Sequence, residues 1–359
     1  MIRDRLRGLL AGGCAALAGC AGAPLTPFTT DTPPLVLAPA SLAGVRDERA
    51  RFREVYCAVL QADRARELPD HRPCSDALTT VGTEPAASGR PVPLAASRAG
   101  LVAVVVPGFG YECVEKWLQV SGTVADHVGR QGYGYQMLRV DGLSSSGNNA
   151  RQIRDAIVAR ADAAGPRRLV LIGYSKGAPD ILEAVVAYPE VRDRVAAVVS
   201  AAGAVGGSPL ANDAEQWMAD LLRHFPDSTC GPGDGGAVQS MRPGVRQAWL
   251  AQNPLPRDIR YYSLATYPQP DRVSSLLRSS WRKLGAVDAR NDSQVIFYDQ
   301  VLPGSTLLGY INADHWAIAV PVARSHTTIA STFLQQNGYP REALLESIMR
   351  FVEEDLQRQ

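Results

Sequence analysis

Five consecutive residues, Gly173-Tyr174-Ser175-Lys176-Gly177, have types and spacing that could do chemistry. A serine hydroxyl is a weak nucleophile at neutral pH until a base takes its proton and its oxygen stands clear of the backbone. The flanking residues meet the second condition. The apolar run 169–172 reads as a buried strand, and 176–187 repeats apolar residues at helical spacing (Ile181, Leu182, Val185, Val186). Ser175 therefore sits on a sharp strand-to-helix turn, with glycines two before and two after to avoid clashes. The pattern alone is weak, and this context makes Ser175 the nucleophile candidate for attack on an acyl carbon. Its base must come from five histidines: His71, His127, His224, His315 and His326. Other chemistries find little support. The 144–147 stretch Ser-Ser-Ser-Gly lacks the lysine and glycine spacing of a phosphate loop. No CxxC or HxxxH spacing suggests zinc.

The elements needed to hold that turn are legible around it. The run 101–106 (Leu-Val-Ala-Val-Val-Val) is continuous and β-branched, as in a strand buried on both faces of a parallel sheet. A helical stretch is expected near 114–130, a strand at 135–140, and a helix at 150–163 capped by Asn148 or Asn149. Further strands are expected at 195–200, 259–265, 295–298 and 307–311, and a last helix at 341–355. Strand alternating with helix implies an α/β fold with a mostly parallel central sheet. Residues 203–257 break the rhythm, with a helix expected at 214–223 and a glycine-rich loop at 231–236, and read as an inserted cap. The expected organisation is 1–19 leader, 20–44 Pro/Thr/Ala-rich tether, 45–98 helical then irregular extension, 99–202 and 258–359 core, with the cap between.

Composition narrows the class. The chain has 359 residues, 46% hydrophobic and 20% charged, enough apolar material for a core. Its 37 basic residues balance 36 acidic ones, which argues against nucleic-acid binding.

From about residue 99 onward the sequence resembles the α/β-hydrolase superfamily, in its secreted bacterial lipase and esterase branch. Pro107-Gly108-Phe109-Gly110 looks like the oxyanion loop of lipases, with Pro107 where histidine is usual. The resemblance implies that the backbone N–H groups of Phe109 and Lys176 face a developing oxyanion. Asn291-Asp292-Ser293-Gln294-Val295 resembles the segment bearing the catalytic acid, which implies Asp292; Asp288 and Asp299 are nearby competitors. Ala313-Asp314-His315-Trp316 resembles the segment bearing the histidine, which implies His315 as general base and acid, with Asp314 supporting its loop. The order Ser, Asp, His is that of α/β-hydrolases. Cleavage of a carboxylic ester through an acyl-enzyme follows, and needs neither metal nor organic cofactor. An acyltransferase using the same triad and a non-catalytic lipoprotein are the alternatives. The expected partner is an acyl ester substrate, acted on by a monomer.

The N-terminus reads as an address. Arg3, Arg5 and Arg7 precede 11 uncharged, mostly apolar residues, too few to span a bilayer. Leu17-Ala18-Gly19-Cys20 resembles the bacterial lipobox, which implies a diacylated Cys20 and a membrane anchor. Ala21 follows in place of aspartate, which by the same resemblance favours the outer membrane of a Gram-negative cell. Cleavage leaves 34 basic residues against 35 acidic. Four cysteines remain for two disulfides in an oxidising compartment: Cys57, Cys74, Cys113 and Cys230. Three pairings are open; the local one is Cys57–Cys74, with Cys113–Cys230 left over.

Overall fold

The computed structural model describes residues 44–62, 68–118, 123–160, 168–213 and 231–358. These residues all fall within one compact unit, Ala38–Gln359. The leader, Cys20 and the tether to residue 43 lie outside the described residues, as do Cys230 and the helix expected at 214–223. Among the described residues no helix is long and apolar enough to cross a membrane.

Among the described residues eight strands form one sheet: β1 (Arg46–Asp47), β2 (Leu78–Thr79), β3 (Val102–Val106), β4 (Gly134–Met137), β5 (Leu169–Tyr174), β6 (Val195–Ala201), β7 (Arg260–Thr266) and β8 (Thr306–Ile311). Their spatial order is β1-β8-β7-β6-β5-β3-β4, and β2 also pairs with β8. Every pairing is parallel except β2–β8. Among the described residues the helices of eight residues or more are α1 (Arg49–Gln61), α2 (Tyr111–Leu118), α3 (Thr123–Arg130), α4 (Ser146–Ala159), α5 (Gly177–Ala187), α6 (Pro243–Gln252), α7 (Arg278–Gly285) and α8 (Arg341–Leu356).

The two-residue period of the strands explains the two cores. Ala103, Val170, Ile172, Ala197 and Val199 face one cluster, which α1 and α8 cover with Phe52, Tyr56, Ile348 and Phe351. Val104, Leu171 and Val198 point the other way, onto Ile153 and Ile157 of α4 and Ile181 and Val185 of α5. A strand buried on both faces must be apolar at every position, which is why β3 and β5 read as unbroken runs.

The order also creates a crevice. From β3 the chain moves outward to β4, then returns to place β5 on the other side of β3. Connections leaving β3 and β5 diverge there, and ligands of open α/β sheets bind at such a point, beyond the carboxyl ends of the strands. Phe109 follows β3 and Ser175 follows β5 at this place.

The segment 45–98 is woven into the sheet. Its β1 pairs with the start of β8 and its β2 with the end of β8. Phe52 of α1 is fully buried, with ring centroids 6.0 Å from Tyr56 and 6.1 Å from Phe351. The Cys57–Cys74 disulfide is formed, with Cα atoms 5.1 Å apart, inside the usual range. Phe52→Ala is expected to cost about 3–5 kcal/mol in chemical denaturation. A loss below about 1 kcal/mol would mean that the segment is an appendage.

Several sequence expectations are corrected. The 295–298 stretch is not a strand but runs into a 3-10 turn, Phe297–Gln300. Ser293 has φ 84°, the N–H groups of Gln294 and Val295 turn to the Asp292 carboxylate, and the stretch keeps only an isolated bridge between Ile296 and Asn291, with the Phe297 N–H donating to the Arg290 carbonyl at 2.9 Å. Helix α4 starts earlier than expected because Ser145 caps it, its Oγ accepting from the Asn148 N–H at 3.2 Å. Asn149 is instead buried, donating to the Asp141 carbonyl and to Asp180. The single helical stretch near 114–130 is two helices, α2 and α3.

Of the segment between β6 and β7, the part beyond residue 231 docks on the start of α4. Asp234 accepts from the Ser145 N–H at 2.6 Å and from its hydroxyl at 2.5 Å. Trp249 packs into the α4/α5 core, with the Arg246 guanidinium 4.7 Å from its ring centroid.

Candidate active site

Ser175 leaves β5 with φ 54°, a left-handed value that costs a non-glycine residue about 1–2 kcal/mol. The turn is held on both sides: the Ser175 carbonyl accepts from Ala178 and Ala204 N–H groups at 3.2 and 3.0 Å. Its crowding explains the flanking glycines. A Cβ on Gly173 would lie 2.4 Å from the Ala178 Cα, and one on Gly177 2.1 Å from the Val106 carbonyl oxygen.

The structure brings Ser175, Asp292 and His315 together from three separate loops. The His315 Nε2 lies 2.9 Å from the Ser175 Oγ, and its Nδ1 lies 2.7 Å from the Asp292 Oδ2. His315 stands four residues past the end of β8 and its backbone N–H donates to the Asp292 carbonyl at 2.9 Å. Asp292 is fully buried. A buried carboxylate requires compensating donors, and it has them. Its Oδ1 accepts from Gln294 and Val295 N–H groups at 2.9 and 2.7 Å. Its Oδ2 accepts from the Thr266 hydroxyl and from the Gln300 amide, the latter at 3.2 Å.

Other expected residues are placed as follows. Asp314 accepts from the Ser274 and Ala317 N–H groups at 3.0 and 3.1 Å, so it braces the loop. Burial acts to raise the Asp288 carboxyl, but three hydrogen bonds from Arg290, two from its guanidinium and one from its backbone N–H, outweigh it and hold the carboxyl below the usual range. Lys176 is buried and ion-paired, its Nζ 2.8 and 2.9 Å from the two Asp180 carboxylate oxygens. That pairing leaves the lysine no role toward an anionic substrate group, while its backbone N–H points to no acceptor among the described residues. The Phe109 N–H likewise has none among them. The 107–110 loop lies against Ser175: a Cβ on Gly108 would be 2.8 Å from the Ser175 Cβ. With Pro107 in place of histidine, the loop is tied down by the Gly110 N–H donating to Gly142 at 3.2 Å, while the Gly142 N–H donates to the Glu112 carboxylate. Burial pushes the Glu112 carboxyl up to about 7.

Asp299 is largely buried, and burial alone pushes its carboxyl up to about 7. The folded chain therefore keeps that proton up to about 7, whereas an unfolded chain releases it near the ordinary aspartate value of 3.8. Between these values the folded state binds more protons, so this group's contribution to stability falls as pH rises. Asp299→Asn is expected to gain thermal stability over the parent between pH 4 and pH 8, read as a widening difference in Tm. A difference that stays constant with pH would contradict this.

The sequence reading missed four residues that serve the site. Thr266 and Gln300 hold Asp292, and Glu112 ties the 107–110 loop. Tyr174 donates its phenolic proton to the His315 carbonyl at 2.7 Å, with ring centroids 5.1 Å apart. Burial raises its phenol far above the ordinary value, so it remains a donor. None of the four carried a clear sequence signal: even Thr266 closes a strand that also holds Arg260 and Ser263.

A parallel sheet of this order, with a left-handed serine after β5 and a histidine after β8, defines an α/β-hydrolase. Among solved structures the chain is similar to the metagenomic carboxyl esterase MGS0156, at 41% identity over 90% of this chain and 97% of that one, with a TM-score of 0.82. It shares its fold with the lipase BlEst2 of Bacillus licheniformis in mature form, at 22% identity over 63% of this chain and 89% of that one, with a TM-score of 0.50. No protein-family model and no curated protein matches the chain. The chain belongs to the carboxyl esterase family of α/β-hydrolases, and is a carboxylic ester hydrolase.

Proposed function

We propose that the protein cleaves carboxylic esters through an acyl-enzyme formed on Ser175. The observation that carries this reading is the continuous hydrogen-bonded chain Ser175 Oγ–His315 Nε2–His315 Nδ1–Asp292 Oδ2, at 2.9 and 2.7 Å. Ser175 attacks the ester carbonyl as His315 accepts its proton. Asp292 holds the imidazole orientation and stabilises the imidazolium that forms. The negative oxygen of the tetrahedral intermediate accepts from the Phe109 and Lys176 backbone N–H groups, which are otherwise uncommitted among the described residues. Collapse expels the alcohol, protonated by His315. Water activated by the same histidine then releases the acid.

The test is hydrolysis of p-nitrophenyl esters from two to sixteen carbons, with fluorophosphonate labelling of the parent and Ser175→Ala. Labelling and turnover lost together support the reading. A labelled Ser175→Ala protein would overturn it.

We also infer that Cys20 is acylated and anchors the chain, with Ala21 favouring the outer membrane. The support is the Leu17-Ala18-Gly19-Cys20 pattern behind a short apolar segment. Two or more acyl chains hold a protein at a bilayer, since each buried CH₂ contributes about 0.8 kcal/mol. Metabolic labelling with an alkyne fatty acid is expected to mark the parent and not Cys20→Ser. Equal labelling of both would refute it.

A further inference from the structure

Five large apolar side chains are exposed among the described residues, and three of them gather in one place: Leu276 at 51% exposure, Phe333 at 50% and Ile329 at 37%. Ile329 and Phe333 are four apart on the helix Thr327–Phe333, so they share a face. Leu276 lies in the 3-10 turn Ser275–Leu277, which is stitched to that helix. The Ser275 hydroxyl bonds the Thr332 and Phe333 carbonyls at 3.2 Å, and the Ser275 N–H donates to the Gln335 side chain at 3.2 Å.

Charge marks the same surface. The stretches 272–287 and 315–341 contain no aspartate or glutamate. Helix α7, which begins two residues after Leu276, exposes Arg278, Arg282 and Lys283; Lys283 pairs with Asp213 at 2.8 Å. Beneath the exposed residues, their neighbours Leu277 and Leu334 join a buried cluster with Val273, Val322 and Tyr111, against which Trp316 packs. Tyr111 follows the 107–110 loop and Trp316 follows His315, so the patch is continuous through apolar side chains with the surroundings of the site.

We propose that the Leu276, Ile329 and Phe333 patch, with Arg278 and Arg282, is a docking surface for a lipid bilayer bearing anionic headgroups. Exposed apolar groups enter the interface while adjacent cations meet lipid phosphate, and the two effects add. A second copy of the chain is disfavoured as occupant, because the same cations would face each other across a two-fold contact. The surface acts independently of the serine chemistry.

The test is co-sedimentation with vesicles of phosphatidylglycerol and phosphatidylcholine, and of phosphatidylcholine alone. All proteins carry Cys20→Ser, so that an acyl chain on Cys20 does not enter the comparison. Leu276→Ser/Phe333→Ser and Arg278→Glu/Arg282→Glu are each expected to weaken partition to anionic vesicles by at least about tenfold. Hydrolysis of a soluble two-carbon ester and Tm stay at parental values, which separates loss of docking from loss of catalysis or of fold. Equal binding to both vesicle types, parental binding by either double variant, or a concentration-dependent dimer that the variants abolish would each overturn the proposal.

Discussion

Ser175→Ala is expected to reduce kcat/KM for a short-chain ester by about a millionfold, to the residue of rate that binding and oxyanion donors support. The fold should survive. The turn is fixed by backbone contacts of Ser175 to Ala178, Ala201 and Ala204, which alanine keeps. Alanine must still adopt φ 54° without a polar side chain, which adds strain of about 1 kcal/mol. Unchanged circular dichroism, a Tm within a few degrees and no detectable turnover is the expected triple. Residual activity within about a hundredfold of the parent would mean that the hydrolysis comes from another nucleophile.

Asp292→Asn has the next largest expected effect, about 10⁴ in kcat. The amide keeps the shape, but its NH₂ group can face the His315 Nδ1 and favour the wrong tautomer. It also disturbs a tight donor set, because the Thr266 hydroxyl and the Gln300 and backbone N–H groups all expect an acceptor. Asp288→Asn and Asp299→Asn serve as controls. Asp288 is engaged by Arg290, and neither carboxylate bonds His315 among the described residues. Both controls are expected to stay within about tenfold of the parent. If Asp299→Asn instead produced the large loss, the acid assignment would move to Asp299.

How much of this was visible in the residues themselves depends on the range of the physics involved. The turn that carries Ser175 was legible because everything that shapes it is local: an apolar strand, a turn that tolerates crowding at Gly173 and Gly177, and a helix that begins at once. The runs forming β3 and β5 were legible because strands buried on both faces lack polar residues. His315 and Asp292 needed the resemblance, since no local pattern says which of five histidines meets Ser175. The 295–298 stretch misled because its apolar residues suit a strand, while the Val295 N–H turns to a carboxylate three residues back and the chain runs on into a 3-10 turn.

The sequence by itself determined the alternating α/β architecture, the serine turn and the balanced charge, each legible without the tertiary structure. Only the tertiary structure decided that segment 45–98 belongs to the sheet, through pairings of Arg46 with Thr306 and of Leu78 with Ile311. It alone decided that Lys176 is withdrawn into a pair with Asp180, and that Thr266 and Gln300 bond Asp292 while Tyr174 bonds the His315 carbonyl. Leu276 and Phe333 are separated by more than fifty residues and meet through Ser275. The physical reason is common to all of these. Hydrogen bonds and burial act over a few ångströms in space, and closing long loops costs entropy that grows only slowly with their length. Distant residues can therefore be joined at a modest cost, and nothing in the spacing along the chain records which ones are.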